Sequence, residues 1–142
     1  MASVKKMVLD WRGNYKFTAK NEEGLSVDFD APIPSGGEET ALSPMETPLA
    51  SLAACSSYHV VSILRKKRQD FSAYSVEMTA DRRGEHPRVF TTIHLKYIVK
   101  GKNVSKAAIG SAIKLSEEEY CSVGGMLKKA VKITSSYEIL EE

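Results

Sequence analysis

The sequence predicts an α+β fold, in which one long helix lies between two groups of strands. Segments with strict alternation of apolar and polar residues occur before residue 31 and again after residue 75. Between these two groups, Pro44–Arg68 has the length and composition of one long helix. A second helical stretch and an alternating segment, Lys132–Leu140, complete the chain. Strands and helices that follow one another in this mixed order are typical of α+β proteins.

The first thirty residues predict a three-stranded β-meander. Val4–Trp11 is the first strand, and Tyr15–Ala19 alternates as a half-buried second strand should. Residues 25–29 alternate in the same way and form the third strand. The segments between the strands contain Gly, Asn and Asp or Glu, which favour tight turns, and Gly24 is expected to be left-handed.

The chain after the meander is predicted to form a loop, residues 31–42, followed by the central helix, Pro44–Arg68. The loop is long for so small a protein, which is typical of a functional or partner-binding segment. Ser43 can cap the helix with Pro44 at its first position, and Glu46 can complete a capping box. Small residues dominate near Cys55, so we expect this helix to lie in the middle of the fold, with other backbones packed closely around it. Its end, Arg65–Arg68, is cationic and predicts a solvated terminus.

The second half of the chain predicts a β pair, two helices and a closing strand. The first strand of the pair alternates from Val76 onward. Val89–Val99 is its partner strand, with one face formed by Val89, Thr91, Ile93, Leu95 and Tyr97. Ser105 caps a helix that runs to Leu115, and Ser116 with three following glutamates predicts a new helix start. Cys121 then lies at or just before the N-terminus of a short helix, Met126–Ala130.

Composition predicts one globular domain over residues 1–142, with a net charge of +2 and interspersed acids and bases. This charge gives no broad basic surface for nucleic acid. No signal peptide and no run of about eighteen apolar residues is visible, which argues against a membrane span. We therefore expect a cytoplasmic protein, whose thiols are kept reduced.

The two cysteines are the main candidates for chemistry. Cys55 and Cys121 are 66 residues apart, which excludes a CxxC redox motif and a zinc knuckle. A helix N-terminus at Cys121 favours its thiolate. Cys55 is about three turns into the central helix, so another group must activate it. That group is either a cation from the meander or His59, one turn further along the same helix face.

Several interpretations of these residues remain open from the pattern alone. Cys55 and His59 could form a thiol acyl-transfer or hydrolase pair, with Cys121 passive. The chain could instead be a non-catalytic dimer that binds a small ligand, with both cysteines as inert packing. A metal site made by Cys55, His59 and Cys121 is a further hypothesis. Glu46 lies nine residues before Cys55, on the opposite side of a regular helix, so its simplest interpretation is an acid at the helix start.

Two segments resemble the cysteine motifs of a known family. Ser43–Cys55 closely resembles the first motif of the OsmC/Ohr family of thiol-dependent peroxide reductases, and Glu118–Val123 resembles the second. Arg88–Val99 is similar to the OsmC-like branch, and the matching element order extends from Trp11 to Ile139. The resemblance implies an OsmC-like fold as an intertwined homodimer, with the central helices side by side and active sites completed by both subunits. It also implies chemistry without a metal or organic cofactor.

The resemblance also implies a role for each cysteine. Cys55 would be the peroxidatic thiolate that attacks an organic hydroperoxide, in a response to oxidative stress. Cys121 would resolve the sulfenic acid through an intramolecular disulfide, which an external dithiol would then reduce. In the family, an arginine of the meander, oriented by a glutamate, activates the first cysteine; here the expected residues are Arg12 and Glu46. Ser-Pro-Met stands where the family has Asn-Pro-Glu, so Glu46 comes one residue late.

Overall fold

A computed structural model describes residues 4–142 and confirms the α+β class. The chain forms two compact units, one reaching to Pro48 and the other comprising Leu49–Glu142. We refer to them as the N-terminal and C-terminal units. Each unit contains one three-stranded sheet. The expectation of a single domain over residues 1–142 stays a prediction.

The N-terminal unit is the predicted meander, built from β1 (Met7–Trp11), β2 (Phe17–Asn21) and β3 (Ser26–Phe29). Its strands are antiparallel in the order β1-β2-β3. The first turn uses positive φ at Gly13 (93°) and Asn14 (49°). Because Trp11 pairs with Phe17, the turn includes Tyr15, and the second strand begins two residues later than predicted.

A buried carboxylate, that of Asp30, organises the loop after β3. Asp30 is 1% exposed, and its carboxylate accepts the backbone N–H groups of Ala31 (2.7 Å), Glu38 (3.4 Å) and Thr40 (3.0 Å). The Thr40 hydroxyl also donates to it, at 2.6 Å. These hydrogen bonds, led by the Thr40 hydroxyl, hold the pKa of Asp30 well below its ordinary value. Asp30 follows the alternating residues 25–29 at a polar position of the pattern, so its burial was not predicted.

The central helix, α1, comprises Glu46–Lys66 and begins two residues later than predicted. The backbone N–H of Ser43 donates to the Glu46 carboxylate at 3.0 Å, which is one half of a capping box. After Lys66 the chain leaves the helix, and Arg68 has a positive φ of 56°. The four cationic residues at this end are exposed, as predicted.

Helix α1 is buried along one stripe only. The buried positions recur at steps of about four residues: Leu52, Ala53, Ser56, Val60 and Leu64. Ala50, Ser51 and Ala54 are exposed, and Tyr58 is 72% exposed. The prediction that α1 is enclosed on all sides is therefore wrong within one chain, because this stripe occupies a single side of the helix.

Helix α1 is also the one helix within residues 4–142 that is long and apolar enough to cross a membrane. It meets that criterion by length and composition, although the sequence has no uninterrupted run of about eighteen apolar residues. A core helix of a soluble protein has the same length and composition, so this feature is weak evidence for a membrane span.

The sheet of the C-terminal unit contains β4 (Phe71–Arg82), β5 (Phe90–Gly101) and β6 (Lys132–Leu140). Strands β4 and β5 are antiparallel, whereas β5 and β6 are parallel. A parallel pair needs a long crossover connection. Here α2 (Lys106–Leu115), a π-helical turn (Ser116–Tyr120) and α3 (Ser122–Leu127) supply it.

The predicted buried face of β5 is correct only in its second half. Ile93, Leu95 and Tyr97 are buried, but Val89 and Thr91 are exposed. Val89 lies outside the strand, and a bulge explains Thr91, because the residue paired with Asp81 is Thr92 while the residue paired with Arg82 is Phe90. The unpaired Thr91 shifts the alternation by one residue and brings Phe90 to the buried face.

The predicted helix start at Ser116 is wrong, whereas the predicted cap at Ser105 is confirmed. The Ser105 side chain accepts the N–H of Ala108 at 3.2 Å. At Ser116, α2 passes without interruption into the π-helical turn, where the N–H of Cys121 donates to the Ser116 carbonyl at 2.7 Å. Ser116 is buried, so it packs inside the fold and does not cap a new helix. The following helix, α3, begins at Ser122, earlier than predicted.

Candidate functional site

Cys121 is the N-cap of α3 and is 6% exposed. Its Sγ accepts the backbone N–H of Gly124 at 3.3 Å. A Cβ at position 124 would lie 3.3 Å from this Sγ and 3.4 Å from Cδ1 of Leu52 on α1. The absence of a side chain at Gly124 therefore lets the thiol lie between α3 and α1.

Cys55 on α1 and Cys121 on α3 are both free thiols, and Cys55 is the more exposed of the two. Burial raises the pKa of the Cys121 thiol, while the N–H of Gly124 lowers it. The neighbouring Cys55 thiol raises this pKa further, through a hydrogen bond and through charge, and so does the Glu117 carboxylate. The helix start therefore lowers the pKa of Cys121 through the Gly124 N–H, as predicted, but burial outweighs this effect and the net pKa is raised.

Glu117 is held by hydroxyl groups from two neighbouring strands. Its Oε1 accepts the hydroxyl of Ser135 on β6 at 3.0 Å, and its Oε2 accepts the phenol of Tyr97 on β5 at 3.4 Å. Burial raises the pKa of Glu117, whereas the two hydroxyl donors lower it. Smaller effects come from Glu118, which raises this pKa, and from His94, which lowers it.

A chain of buried hydroxyl groups joins Glu117 to α1. The Tyr97 phenol lies 2.5 Å from Oγ of Ser56, and Oγ of Ser116 lies 3.2 Å from the same Ser56 atom. The Ser116 hydroxyl also donates to the Ser56 carbonyl at 2.9 Å. Burial raises the pKa of Tyr97 well above its ordinary value, so its phenol stays protonated and can donate to Glu117.

Sequence reasoning missed Ser56, Tyr97 and Glu117. One signal could have found the first of them: Ser56 lies four residues after Leu52 and four before Val60, on the face that packs into the core. A hydroxyl at such a position requires a buried partner. No such signal exists for Glu117, because a run of glutamates at a suspected helix start has a simpler interpretation.

Cys121 and Glu117 line the same cavity, whose volume is about 100 Å³. The cavity is large enough for water molecules. Its remaining walls are mostly apolar, with one cation at Lys128; they are formed by Leu52, Ser56, Leu95, Gly124, Lys128 and Ile133. The Cys121 thiol and the Glu117 carboxylate therefore belong to residues that line one small space.

His59 contacts two aromatic rings. The Tyr58 ring meets it edge to face with centroids 5.1 Å apart, and the Tyr120 ring stacks on it at 5.4 Å. Within residues 4–142 no hydrogen bond joins His59 to Cys55. In the same part of the chain, no three His, Cys, Asp or Glu side chains are grouped to hold a metal ion, which excludes Cys55, His59 and Cys121 as such a set.

Arg12 and Glu46 both belong to the N-terminal unit. Arg12 is exposed beside the first turn, where its backbone N–H donates to the Lys16 carbonyl at 2.8 Å. Lys16, a second basic residue of the same turn, forms an ion pair with Glu38 at 3.2 Å. The N–H of Ser43 holds the pKa of Glu46 below its ordinary value, as expected for an acid at a helix start. The roles of Arg12 and Glu46 beside Cys55 stay predictions.

The fold and the two cysteine elements define a class of protein. The family model described as "OsmC-like protein" matches residues 36–136, and the chain belongs to this family. Protein YhfA of Escherichia coli K12 is 43% identical over 130 residues, which cover 92% of this chain and 94% of YhfA. A crystal structure of a hypothetical protein from Aquifex aeolicus VF5 is 33% identical, with a TM-score of 0.86 and 99% of each chain covered.

A more distant structure has the same fold. The organic hydroperoxide resistance protein OsmC from Legionella pneumophila is 15% identical, with a TM-score of 0.70, covering 96% of this chain and 99% of its own. At this identity, the likeness establishes the OsmC-like fold and nothing further. The predicted family and fold are thereby confirmed.

Proposed function

We propose that this protein reduces organic hydroperoxides with Cys55 and Cys121. One observation carries the proposal: the thiols of two elements far apart in sequence are neighbours, and both are free. Cys55 is the more exposed thiol, which suits the residue that meets the substrate first. Cys121 is buried against it, which suits the residue that acts second.

The reaction has three steps. The Cys55 thiolate attacks the O–O bond, which breaks; Cys55 becomes a sulfenic acid, and the alkoxide takes a proton and leaves as an alcohol. The Cys121 sulfur then displaces hydroxide from Cys55, so that a disulfide and water are formed. An external dithiol restores both thiols by thiol–disulfide exchange and is itself oxidised to a disulfide.

Membership of the OsmC-like family supports this proposal. The Legionella relative of the same fold is described as an organic hydroperoxide resistance protein and a predicted redox protein. YhfA, the more similar relative, has a name that specifies no activity. The arrangement of the two thiols therefore supplies the specific argument, and the family supplies the chemical class.

We also propose that the protein acts in the cytoplasm as a homodimer. The exposed side of α1 carries the small residues Ala50, Ser51 and Ala54, against which a second copy of the helix can pack closely. In this proposal Arg12 is the cation that stabilises the Cys55 thiolate, and Glu46 orients it. Sedimentation velocity tests the dimer: a species of twice the chain mass supports it, and a monomer at micromolar concentration contradicts it.

Cumene hydroperoxide added to the reduced protein tests the activity. Peptide mapping by mass spectrometry should then find one disulfide, between Cys55 and Cys121. A Cys55→Ser variant should consume no peroxide, and a Cys121→Ser variant should stop at the Cys55 sulfenic acid. Two intact thiols after many equivalents of peroxide would overturn the proposal.

A further inference from the structure

We propose that Glu117 is the group that takes the proton from the Cys121 thiol when the disulfide closes. This inference rests on the proposed function and assigns a role to a residue outside both cysteine motifs. Its basis is geometric, because Glu117 and Cys121 line the same small cavity and interact there.

The carboxylate of Glu117 is fixed in place and keeps free acceptor sites. Ser135 donates to one of its oxygens and Tyr97 donates to the other. Each carboxylate oxygen has two lone pairs, so each can accept one more proton or hydrogen bond. The two donors come from β6 and β5, which lie side by side in the sheet, so the carboxylate is held by a rigid surface.

Cys121 needs such a base. Cys121 is 6% exposed, so bulk water does not reach its thiol to accept the proton. Burial also raises the pKa of the thiol and so keeps it protonated at neutral pH. A protonated thiol is a poor nucleophile toward a sulfenic acid. The N–H of Gly124 stabilises the thiolate once it forms, but that hydrogen bond cannot accept a proton.

The closing step balances as follows. The S–H bond of Cys121 breaks, and its proton passes to the Glu117 carboxylate, directly or through water in the cavity. The Cys121 sulfur attacks the Cys55 sulfur, the S–S bond forms, and the S–O bond of the sulfenic acid breaks. The departing hydroxide takes the proton from Glu117 and leaves as water, so Glu117 returns to its carboxylate form.

Charged and titratable groups face Glu117 from each element packed around it. They are Glu118 on its own turn, His94 and Tyr97 on β5, and Cys121 at the start of α3; Lys128, which follows α3, also lines the cavity. From β6 the facing group is the neutral hydroxyl of Ser135. A pH profile of disulfide closure must be interpreted with all of these groups in mind.

A Glu117→Gln variant separates proton transfer from simple electrostatics, because the two predict opposite changes in the rate of disulfide closure. The Glu117 charge raises the pKa of Cys121, so its removal alone would increase the thiolate and speed disulfide closure. If Glu117 accepts the proton, the same variant closes its disulfide more slowly, by a factor on the order of 10². The amide keeps one oxygen that accepts a hydroxyl donor, and its NH2 group can donate to the oxygen of the other hydroxyl, so the local packing is largely kept.

The experiment follows Cys55 sulfenic acid and the disulfide separately, by rapid quench with dimedone and mass spectrometry. The matched control is Glu118→Gln, which removes the adjacent carboxylate from outside the cavity. It should close near the wild-type rate at neutral pH, with the acid limb of its profile moved to slightly lower pH, because Glu118 raises the pKa of Glu117. In wild type, the rate of disulfide closure should rise with pH as Glu117 ionises. In Glu117→Gln, it should instead need a higher pH, where the Cys121 thiol itself ionises.

The outcomes distinguish this inference from the proposed function. If wild type forms neither sulfenic acid nor disulfide, the proposed function fails. If sulfenic acid forms and Glu117→Gln closes its disulfide at the wild-type rate or faster, the assignment of Glu117 is wrong.

Should Glu117→Gln not fold, Tyr97→Phe provides the test. Loss of this donor raises the pKa of Glu117 and should move the acid limb of the pH profile of disulfide closure to higher pH. An unmoved limb would overturn the assignment.

Discussion

Gly124 lies so close to Cys121 that a Cβ added to it would sit 3.3 Å from the thiol sulfur. The same Cβ would meet Leu52 on α1 at 3.4 Å. The neighbouring Gly125, in the same helix, has no atom within 4 Å of an added Cβ. These two adjacent glycines therefore form a matched pair, in which only the first touches the thiol.

We expect Gly124→Ala to slow disulfide closure, because the new methyl group must push Sγ of Cys121 away by a few tenths of an ångström. Gly125→Ala should leave closure unchanged and should stabilise the protein by about 0.4–1 kcal/mol, since alanine has less freedom to lose on folding. Quench-flow mapping of the disulfide and urea unfolding measure both effects. Equal closure rates in the two variants would show that Gly124 does not position the thiol.

The hydroxyl of Ser56 should contribute to stability through the buried hydrogen bonds that it makes. Ser56→Ala removes the 2.5 Å contact with Tyr97 and the contact with Ser116. The partners left behind are buried, so we expect a loss of about 1–3 kcal/mol in the free energy of unfolding. Ser75→Ala, at an exposed position of β4, should change it by less than about 0.5 kcal/mol. Similar losses in the two variants would contradict the buried network.

The N-terminal unit should lose stability in acid through Asp30. Its folded pKa lies below the ordinary value of 3.8, so its contribution is fully present above that pH and is lost as the pH falls further. Asp30→Asn should remove this part of the pH dependence, because no carboxylate is left to protonate. Thermal unfolding between neutral pH and pH 2 measures it, and Asp10→Asn on the exposed face of β1 is the control. An acid response in Asp30→Asn that matches wild type would contradict the role of Asp30.

His59→Ala separates the peroxide reaction from a cysteine–histidine acyl transfer. The His59 ring contacts Tyr58 and Tyr120, so its removal should cost about 0.5–1.5 kcal/mol of stability per aromatic contact. We expect disulfide formation after hydroperoxide addition to continue at the wild-type rate. Loss of that reaction in a folded His59→Ala variant would instead favour His59 as the base for Cys55.

Local patterns were sufficient to predict the fold class and several of its boundaries. The positive φ at Gly24, the capping side chain of Ser105 and the exposed cations after Leu64 all follow from the residue itself and its immediate neighbours. The alternating strands of the C-terminal unit were also predictable, since one face of each is more buried than the other. The observed boundaries differ from the predicted ones by a few residues, because the pairing between strands determines where a turn ends.

Features that depend on distant partners could not be predicted. The bulge at Thr91 is visible only once β4 is paired with β5. Burial of Asp30 depends on the loop that wraps around it, and burial of Ser116 depends on α1. Glu117 belongs with these residues, since its two donors lie on β5 and β6. Asp30, Ser116 and Glu117 were interpreted as solvent-exposed because the partners that bury them are not adjacent in sequence. Thr91 is the opposite case: it was expected on the buried face and is exposed.

The central claim is that the thiols of Cys55 and Cys121 meet within one fold, and a crystal structure of the reduced protein tests it most directly. The account predicts that the two Cα atoms lie within about 7 Å of each other, with their Cβ atoms directed toward one another, as a disulfide requires. A larger separation, or side chains that point apart, would contradict the resolving role of Cys121 and the reaction built on it.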